Sequence, residues 1–197
     1  MLGAGIAFPS IMNPMSSENP MSSQDERNII GPKEGYTPMI GTLVSMMNWM
    51  RYVILLPVNG MSVKDLDYLH DAKANTIGAM LLHLAASERY YQLNTFDNMK
   101  WGSWSQEIKD QWDIPSGLGD KARKTINGNH LDYYLDIMGE VRENTLTEFK
   151  KRDDDWLMEV DKTWGWGPTN NYCKWFHVCE HESNHNGQFK FLKSRIS

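Results

Sequence analysis

The stretch that most constrains this chain is a helix predicted between residues 168 and 196. Thr169 or Asn170 can begin it, because either side chain can accept a hydrogen bond from a free backbone N–H of the first turn. Apolar residues then recur at three- and four-residue steps, at Val178, Phe189 and Leu192. Such a seam has to be buried, so the chain must supply other elements that pack against this helix.

Two histidines occupy places in this seam where leucine would be expected. His181 and His185 follow Val178 by three and seven residues, so both rings point to the same face about one turn apart. A buried imidazole without a partner costs roughly 1–3 kcal/mol, and this spacing lets two rings bind one metal ion. His177 lies one turn earlier, toward the edge of the seam, and is predicted to lie beside the site or in solvent. The alternative is that all three are ordinary core or surface histidines.

The letters HESNH at residues 181–185 also match the zinc-peptidase pattern H-E-x-x-H. That site usually takes a third ligand from further along the chain. Residues 186–197 contain no Glu, Asp or His, so the zinc-peptidase interpretation is disfavoured. A third ligand would have to come from an earlier helix.

Three more helices are predicted upstream from apolar stripes. They begin at Thr37-Pro38, at Asn75 or Thr76, and after Asn129, and they end near Pro57, Leu93 and Arg152. The connections between the second and third helices and between the third and fourth helices are long. Four long helices with such connections predict an all-α four-helix bundle with long crossover connections.

His83 is the candidate third ligand, because it lies on the second helix three residues after Met80, at the side of the buried face. Metal sites in bundles are built from inward side chains of facing helices. His70, in a short connector, and His130, at the end of the bundle, fit less well. A lone histidine at this position would otherwise be explained by packing.

Length and charge limit the classes of partner. The 197 residues are enough for one domain with a sizeable core, predicted over residues 35–197. Net charge is −5 and no Lys/Arg-rich run exists, so we expect no nucleic-acid partner. No apolar run approaches the roughly 20 residues that span a membrane. Cys173 and Cys179, about 9 Å apart on one helix, cannot form a disulfide with each other.

Residues 1–34 are predicted to be a disordered or signal-like tail, because prolines, serines and Met-Ser-Ser repeats interrupt any period. Residues 2–13, LGAGIAFPSIMN, resemble the apolar part of an export signal, but no positive residue precedes them. We therefore expect a cytoplasmic protein, with export as the alternative if a longer signal precedes this stretch.

Two segments, NTIGAMLLHLAASERYY at 75–91 and FHVCEHESNHNGQF at 176–189, resemble the DinB-like superfamily of four-helix bundles. The resemblance extends from about Thr37 to the C-terminus. It implies that His83, His181 and His185 form the metal triad of that superfamily. Asn186 stands where many members carry arginine, which is a small departure from the pattern.

This superfamily includes metal-dependent thiol S-transferases and thiol-linked isomerases, so the resemblance implies an enzyme that uses a small thiol. Three imidazoles leave coordination positions open on Zn²⁺, Ni²⁺ or Fe²⁺. Glu182 is the candidate catalytic residue, which could orient a ring or move a proton, and its alternative is a solvated helix charge. We expect a small-molecule substrate and a homodimer. An apolar pocket for the electrophile would come from Trp101, Trp104, Trp164 and Trp166.

Three alternatives differ in the kind of site. A di-iron carboxylate bundle needs a second E-x-x-H motif and two more glutamates, yet residues 38–56 contain no acid, so this alternative is disfavoured. A metal-binding bundle without catalysis and a metal-dependent hydrolase both stay open.

Overall fold

A computed structural model describes residues 26–196 of the chain. Within this range the chain forms eight α-helices and one short antiparallel ribbon. In chain order the elements are a 3₁₀-helix (Glu26–Asn28), α1 (Pro38–Leu55), α2 (Val63–Leu66), α3 (Ile77–Thr95), α4 (Gln106–Gly117), α5 (Gly119–Thr125), α6 (Leu131–Phe149), α7 (Asp154–Met158), β1 (Val160–Asp161), β2 (Thr169–Asn170) and α8 (Asn171–Lys193).

The four longest helices, α1, α3, α6 and α8, form the predicted bundle, so the all-α fold is confirmed. Helix α3 packs against both α6 and α8, and α1 packs against α8. The side chains without exposed surface include Ile40, Leu43, Met47, Ile77, Leu81, Tyr134, Phe149, Trp175 and Phe189. Within residues 26–196, no helix is both long enough and apolar enough to cross a membrane.

Most of the tail predicted over residues 1–34 lies outside the described residues. The part that is described runs beside α1. The Trp49 indole N–H donates to Asn28 Oδ1 at 3.2 Å, and the Gly31 N–H donates to Ser45 Oγ at 3.4 Å. The domain boundary at residue 34 stays a prediction.

Side-chain caps fix the starts of the two helices that carry histidines in the bundle. Thr76 Oγ1 accepts a hydrogen bond from the Ala79 N–H at 3.1 Å and begins α3. Asn170 Oδ1 accepts one from the Cys173 N–H at 2.8 Å and begins α8. In both cases the second of the two predicted candidates is the cap.

Helix α1 is capped from a distant part of the chain. Thr37 precedes the helix, but its side chain makes no capping hydrogen bond. Asp154 of α7 instead accepts from the N–H groups of Met39 at 3.1 Å and Ile40 at 3.2 Å, and also from the Thr37 hydroxyl. This carboxylate therefore joins α7 to the start of the bundle.

We expect Asp154→Ala to lower the free energy of unfolding by about 1–2 kcal/mol, the usual cost of losing a helix cap. Urea denaturation at pH 7.5 measures the change. Asp155→Ala is the matched control, because the neighbouring side chain is exposed and its loss should change stability by less than about 0.5 kcal/mol. Equal effects of the two substitutions would show that the long-range cap contributes nothing.

The connection between α3 and α6 contains helices α4 and α5, which sequence patterning did not predict. Ser105 caps α4 by accepting a hydrogen bond from the Ile108 N–H at 3.4 Å. The helix is mostly exposed and buries Trp112 and Pro115, so its apolar period is too sparse to detect. It packs against α3, and this contact places Pro115 beside His83.

The connection between α6 and α8 folds back as the ribbon of β1 and β2. Val160 is opposite Asn170, and Asp161 is opposite Thr169. This long connection therefore contains a short stretch of regular strand pairing. The loop between the strands carries Trp164, which is buried, and Trp166, which is 61% exposed.

Candidate metal centre

The structure brings His83 of α3 together with His181 and His185 of α8. The Nε2 atom of His181 lies 3.1 Å from the Nε2 atoms of both His83 and His185. One ligand atom from each ring lies within 4.8 Å of the other two. His70 and His130 are exposed and take no part.

The two separations that involve His181 suit a shared metal ion. Metal–nitrogen bonds of about 2.0–2.1 Å place two ligand atoms about 2.9–3.4 Å apart when the bond angle is roughly 90–110°. The two separations of 3.1 Å that involve His181 fall in that range. The nitrogens of His83 and His185 lie within 4.8 Å of each other, and binding of one ion by all three rings requires this pair to be no more than about 4 Å apart. The donor set, three imidazoles from two facing helices, therefore fits a divalent transition metal.

A backbone carbonyl sets the tautomer of His83. Its Nδ1 lies 3.1 Å from the Pro115 carbonyl oxygen. Because a carbonyl oxygen can only accept a hydrogen bond, Nδ1 carries the ring proton and donates the hydrogen bond. The lone pair of Nε2 is then free and faces the other two rings, the arrangement in which a histidine ligates metal. The corresponding Nδ1 of His185 is buried and has no hydrogen-bond partner among residues 26–196.

Burial keeps all three rings neutral. It lowers the pKa of His181 to about 3, with added repulsion from His83, His185 and His177. It lowers the pKa of His185 to about 4, again with repulsion from His83. The pKa of His83 is also lowered by burial, against the opposing effect of its hydrogen bonds to the backbone of residues 115 and 116. Neutral imidazole is the form that binds metal, so the cluster is ready for a ligand role at neutral pH.

The same pKa shifts predict acid destabilisation of the metal-free protein. Because the folded-state pKa values of His181 and His185 lie below the ordinary 6.5, the unfolded chain takes up protons first as pH falls. The contribution of these two neutral histidines to the free energy of unfolding is therefore fully present above about pH 6.5 and is lost as pH falls toward about 4. We expect the free energy of unfolding of chelator-treated protein to be about 1–3 kcal/mol lower at pH 5 than at pH 7.5.

Urea denaturation at the two pH values measures this difference. The control is the double variant His181→Asn with His185→Asn, which should show a clearly smaller decline. The choice of pH 5 keeps most carboxylates ionised in both states, since their ordinary pKa values are about 4. The same decline in both proteins would contradict the assignment to these histidines.

His177 lies beside the cluster, where its spacing predicted it. Its ring stacks on that of His181, with centroids 5.5 Å apart and planes 5° from parallel. Its Nδ1 is 3.2 Å from Glu180 Oε2. His177 therefore packs against His181, a candidate ligand, and points its Nδ1 toward the carboxylate of Glu180.

An open cavity of about 830 Å³ reaches the cluster, with His177 and His181 in its wall. Three of the four predicted tryptophans line it, together with two tyrosines of α3: Tyr90, Tyr91, Trp101, Trp164 and Trp166. Trp104 is buried behind them and stacks on Tyr90 at a centroid distance of 5.2 Å. The cavity thus combines a large aromatic surface with access to His181 of the cluster.

A buried lysine fixes the ribbon side of this cavity. Lys174 Nζ donates to Asn94 Oδ1 at 2.9 Å and to Asp161 Oδ2 at 3.0 Å. The same ammonium lies 4.3 Å from the centre of the Trp164 ring. These contacts join α8, α3 and β1, and they hold Trp164 in the cavity wall.

Glu182 does not line the cavity. It is 1% exposed, so the alternative of a solvated charge is wrong. Its Oε1 accepts hydrogen bonds from Arg51 at 2.7 and 2.9 Å and from Arg142 at 2.9 Å. Glu88 completes this buried group of charges, and sequence reasoning identified neither arginine nor this second glutamate. The sequence did contain one indication of this network, which is a charged residue within the apolar stripe of a helix. Arg51, between Met47 and Ile54, is an example.

The sequence profile of the family described as mycothiol-S-transferase matches residues 42–197. The chain belongs to the mycothiol S-transferase family. This family is part of the DinB-like superfamily, so the predicted resemblance is confirmed. The matched range includes His83, His181 and His185, and every residue of the cavity wall named above.

One solved structure supports the fold independently. The crystal structure of a conserved protein from Enterococcus faecalis is 13% identical and superimposes with a TM-score of 0.57, covering 77% of this chain and 92% of its own. At this identity the similarity concerns the fold alone. No curated protein matches the chain.

Proposed function

We propose that the protein is a metal-dependent transferase that joins the sulfur of a small thiol, mycothiol or a close analogue, to an electrophilic carbon. The observation that carries this proposal is the convergence of three neutral histidine nitrogens, from His83, His181 and His185, beside an open aromatic cavity. Membership of the mycothiol S-transferase family supports the choice of thiol.

The proposed metal ligands are the Nε2 atoms of His83, His181 and His185, and the ion is Zn²⁺, Ni²⁺ or Fe²⁺, which all accept imidazole. When bound, such an ion lowers the pKa of a thiol that it binds and supplies thiolate at neutral pH. Burial holds the three rings in the neutral form, and the Pro115 carbonyl orients the ring of His83.

The reacting sulfur comes from the substrate in this proposal. The chain has two cysteines, and neither lines the cavity. Cys173 is exposed, while burial raises the pKa of Cys179 to about 11, with a further contribution from Glu182. Neither thiol therefore competes with an external thiol for this role.

In the transfer step a lone pair of the sulfur attacks the electrophilic carbon and the C–S bond forms. The bond from that carbon to the leaving group breaks, and its electron pair departs with the leaving group. The thiol proton passes to water, which reaches the open cavity. The indoles of Trp101, Trp164 and Trp166 supply an apolar surface for an acceptor, and Asn94 and Asp161 supply polar groups on the same cavity.

A panel of thiols tests this function. Protein loaded with one metal at a time is mixed with a chlorodinitrobenzene, and conjugation is followed separately with mycothiol, bacillithiol, glutathione and cysteine. The expected result is metal-dependent conjugation with mycothiol as the preferred thiol. Turnover of an ester or amide substrate without any thiol would favour the hydrolase alternative. Tight metal binding without conjugation to several acceptors would favour the non-catalytic alternative.

For Glu182 we propose a positioning role instead of the catalytic role, because its carboxylate is held by two arginines away from the cavity wall. A cytoplasmic location, a homodimer and the lack of a nucleic-acid partner stay predictions. Size-exclusion chromatography with light scattering tests the homodimer directly.

A further inference from the structure

Each of the four bundle helices contributes one buried or half-buried charge to a single cluster. Arg51 comes from α1, Glu88 from α3, Arg142 from α6 and Glu182 from α8. Glu88, Glu182 and Arg142 are 0%, 1% and 6% exposed. Two arginines face two glutamates, so the formal charges of this four-charge network cancel.

The network is closely bonded. Arg142 donates to both oxygens of Glu88 at 2.8 and 3.1 Å and to Glu182 at 2.9 Å. Arg51 donates to Glu88 at 3.0 Å and to Glu182 at 2.7 Å. The remaining guanidinium donors meet the carbonyl oxygens of Met47 and Met138, each at 3.2 Å. Both arginines therefore contact both glutamates.

The network lies within about one and a half turns of the histidine cluster along both helices. On α8, Glu182 directly follows His181 and precedes His185 by three residues. On α3, Glu88 follows His83 by five residues. Successive α-helical residues differ by about 100° around the axis, so Glu182 faces the inside of the bundle while the flanking histidines face His83.

The two kinds of contact between α3 and α8 constrain the helices differently. Apolar packing is non-directional, so by itself it tolerates small displacements of one helix along the other. Charged hydrogen bonds with bidentate geometry are directional, and breaking one in a buried site leaves a charge without a partner. The shared arginines therefore resist a displacement of Glu182 relative to Glu88.

We propose that the four-charge network sets the register of α8 on α3 and so fixes the separation between His83 and the two histidines of α8. Arg51, Glu88, Arg142 and Glu182 act as positioning residues, since none of them lines the cavity. This role rests on the proposed metal site. Replacing a buried ion network with apolar residues is often neutral for stability, and fixing register is the best-supported function of such networks.

Metal affinity provides the test, since a network that served stability alone would leave it unchanged. Apoprotein is titrated with Co²⁺ and Ni²⁺, and the visible absorption bands report both affinity and coordination geometry. Glu182→Gln keeps the side-chain volume and removes the charge. We expect its metal affinity to fall by about 10–100-fold, as for residues that orient ligands from outside the first coordination sphere, with shifted absorption bands. Glu148→Gln is the matched control on the outer side of α6, where Glu148 pairs with Arg152, and should leave affinity and bands unchanged.

The double variant Arg51→Leu with Glu182→Leu removes one charge of each sign and keeps the pair of Arg142 with Glu88. We expect it to recover stability relative to Glu182→Gln while its metal affinity stays low. Wild-type affinity in a folded Glu182→Gln protein, or in the folded double variant, would overturn the inference and leave the proposed function intact. If the wild-type protein itself binds neither ion, the proposed metal site fails, and the inference fails with it.

Discussion

Replacing His181 or His185 by alanine is expected to abolish stoichiometric metal binding. Each ring supplies one of three converging nitrogens, and the loss of either leaves only two protein ligands. Since losing a residue that merely orients a ligand costs 10–100-fold in affinity, losing a ligand should cost on the order of 100-fold or more. His83→Ala should behave similarly. Elemental analysis of tag-free protein, after loading with Zn²⁺, Ni²⁺ or Fe²⁺ and buffer exchange, measures the stoichiometry.

His177→Ala is the matched control for these substitutions. It removes an imidazole from the same helix, one that stacks on His181 but directs its Nδ1 to Glu180. We expect this variant to retain at least most of the bound metal. A protein that lost its metal on His177→Ala and kept it on His83→Ala would show that the third ligand is wrongly assigned.

Arg142→Ala is expected to have the largest effect on stability, lowering the free energy of unfolding by about 3–5 kcal/mol. Burial raises the pKa of Glu88, but the opposing attraction of Arg142 and Arg51 is stronger, so the net pKa is lowered and the carboxylate is charged. Without Arg142, Glu88 and Glu182 share only the guanidinium of Arg51. Urea unfolding at pH 7.5 measures the loss.

Lys151→Ala is the control for that experiment. Lys151 pairs with Glu148, and its side chain is 56% exposed. Ion pairs of this kind contribute about 0–1 kcal/mol, so the variant should unfold close to the wild-type protein. If Arg142→Ala lowered the free energy of unfolding by less than about 1 kcal/mol, Glu88 and Glu182 would not depend on Arg142 to remain charged and buried.

The bundle and the histidine cluster could be predicted because their signals are local. Helical period and capping residues identify the long helices, and the four-residue spacing of His181 and His185 places two rings on one face. His83 was identified because only one other histidine faced inward from a second helix. The Nε2 separations could not be predicted, since they depend on how α3 and α8 pack.

The parts that escaped prediction depend on contacts between distant residues. Glu88 and Arg142 are far apart in sequence and meet only when α3 packs on α6. Asp154 caps α1 across most of the chain. In the sequence, each glutamate and each arginine of the network looks like an ordinary charged residue of a helix. Nothing in the neighbouring residues distinguishes a buried charge that has a partner from a solvated charge.

Glu182 illustrates a signal that was present in the sequence. The pattern H-E-x-x-H suggests a glutamate beside the metal, as in a zinc peptidase. Helical geometry turns this residue about 100° away from His181, and His181 itself occupies a place in the apolar seam. In this bundle the turn directs Glu182 to Arg51 and Arg142.

We expect thiol transfer to depend on the three-histidine site, a claim that the rate of conjugation tests. The rate of mycothiol conjugation to a chlorodinitrobenzene is measured for chelator-treated protein, for the same protein after addition of one equivalent of Zn²⁺, Ni²⁺ or Fe²⁺, and for His185→Ala treated identically. We predict that at least one metal raises the rate of the wild-type protein by about tenfold or more, and that His185→Ala stays at the uncatalysed rate with every metal. Conjugation that is catalysed equally well without metal, or that persists in His185→Ala, would contradict the claim.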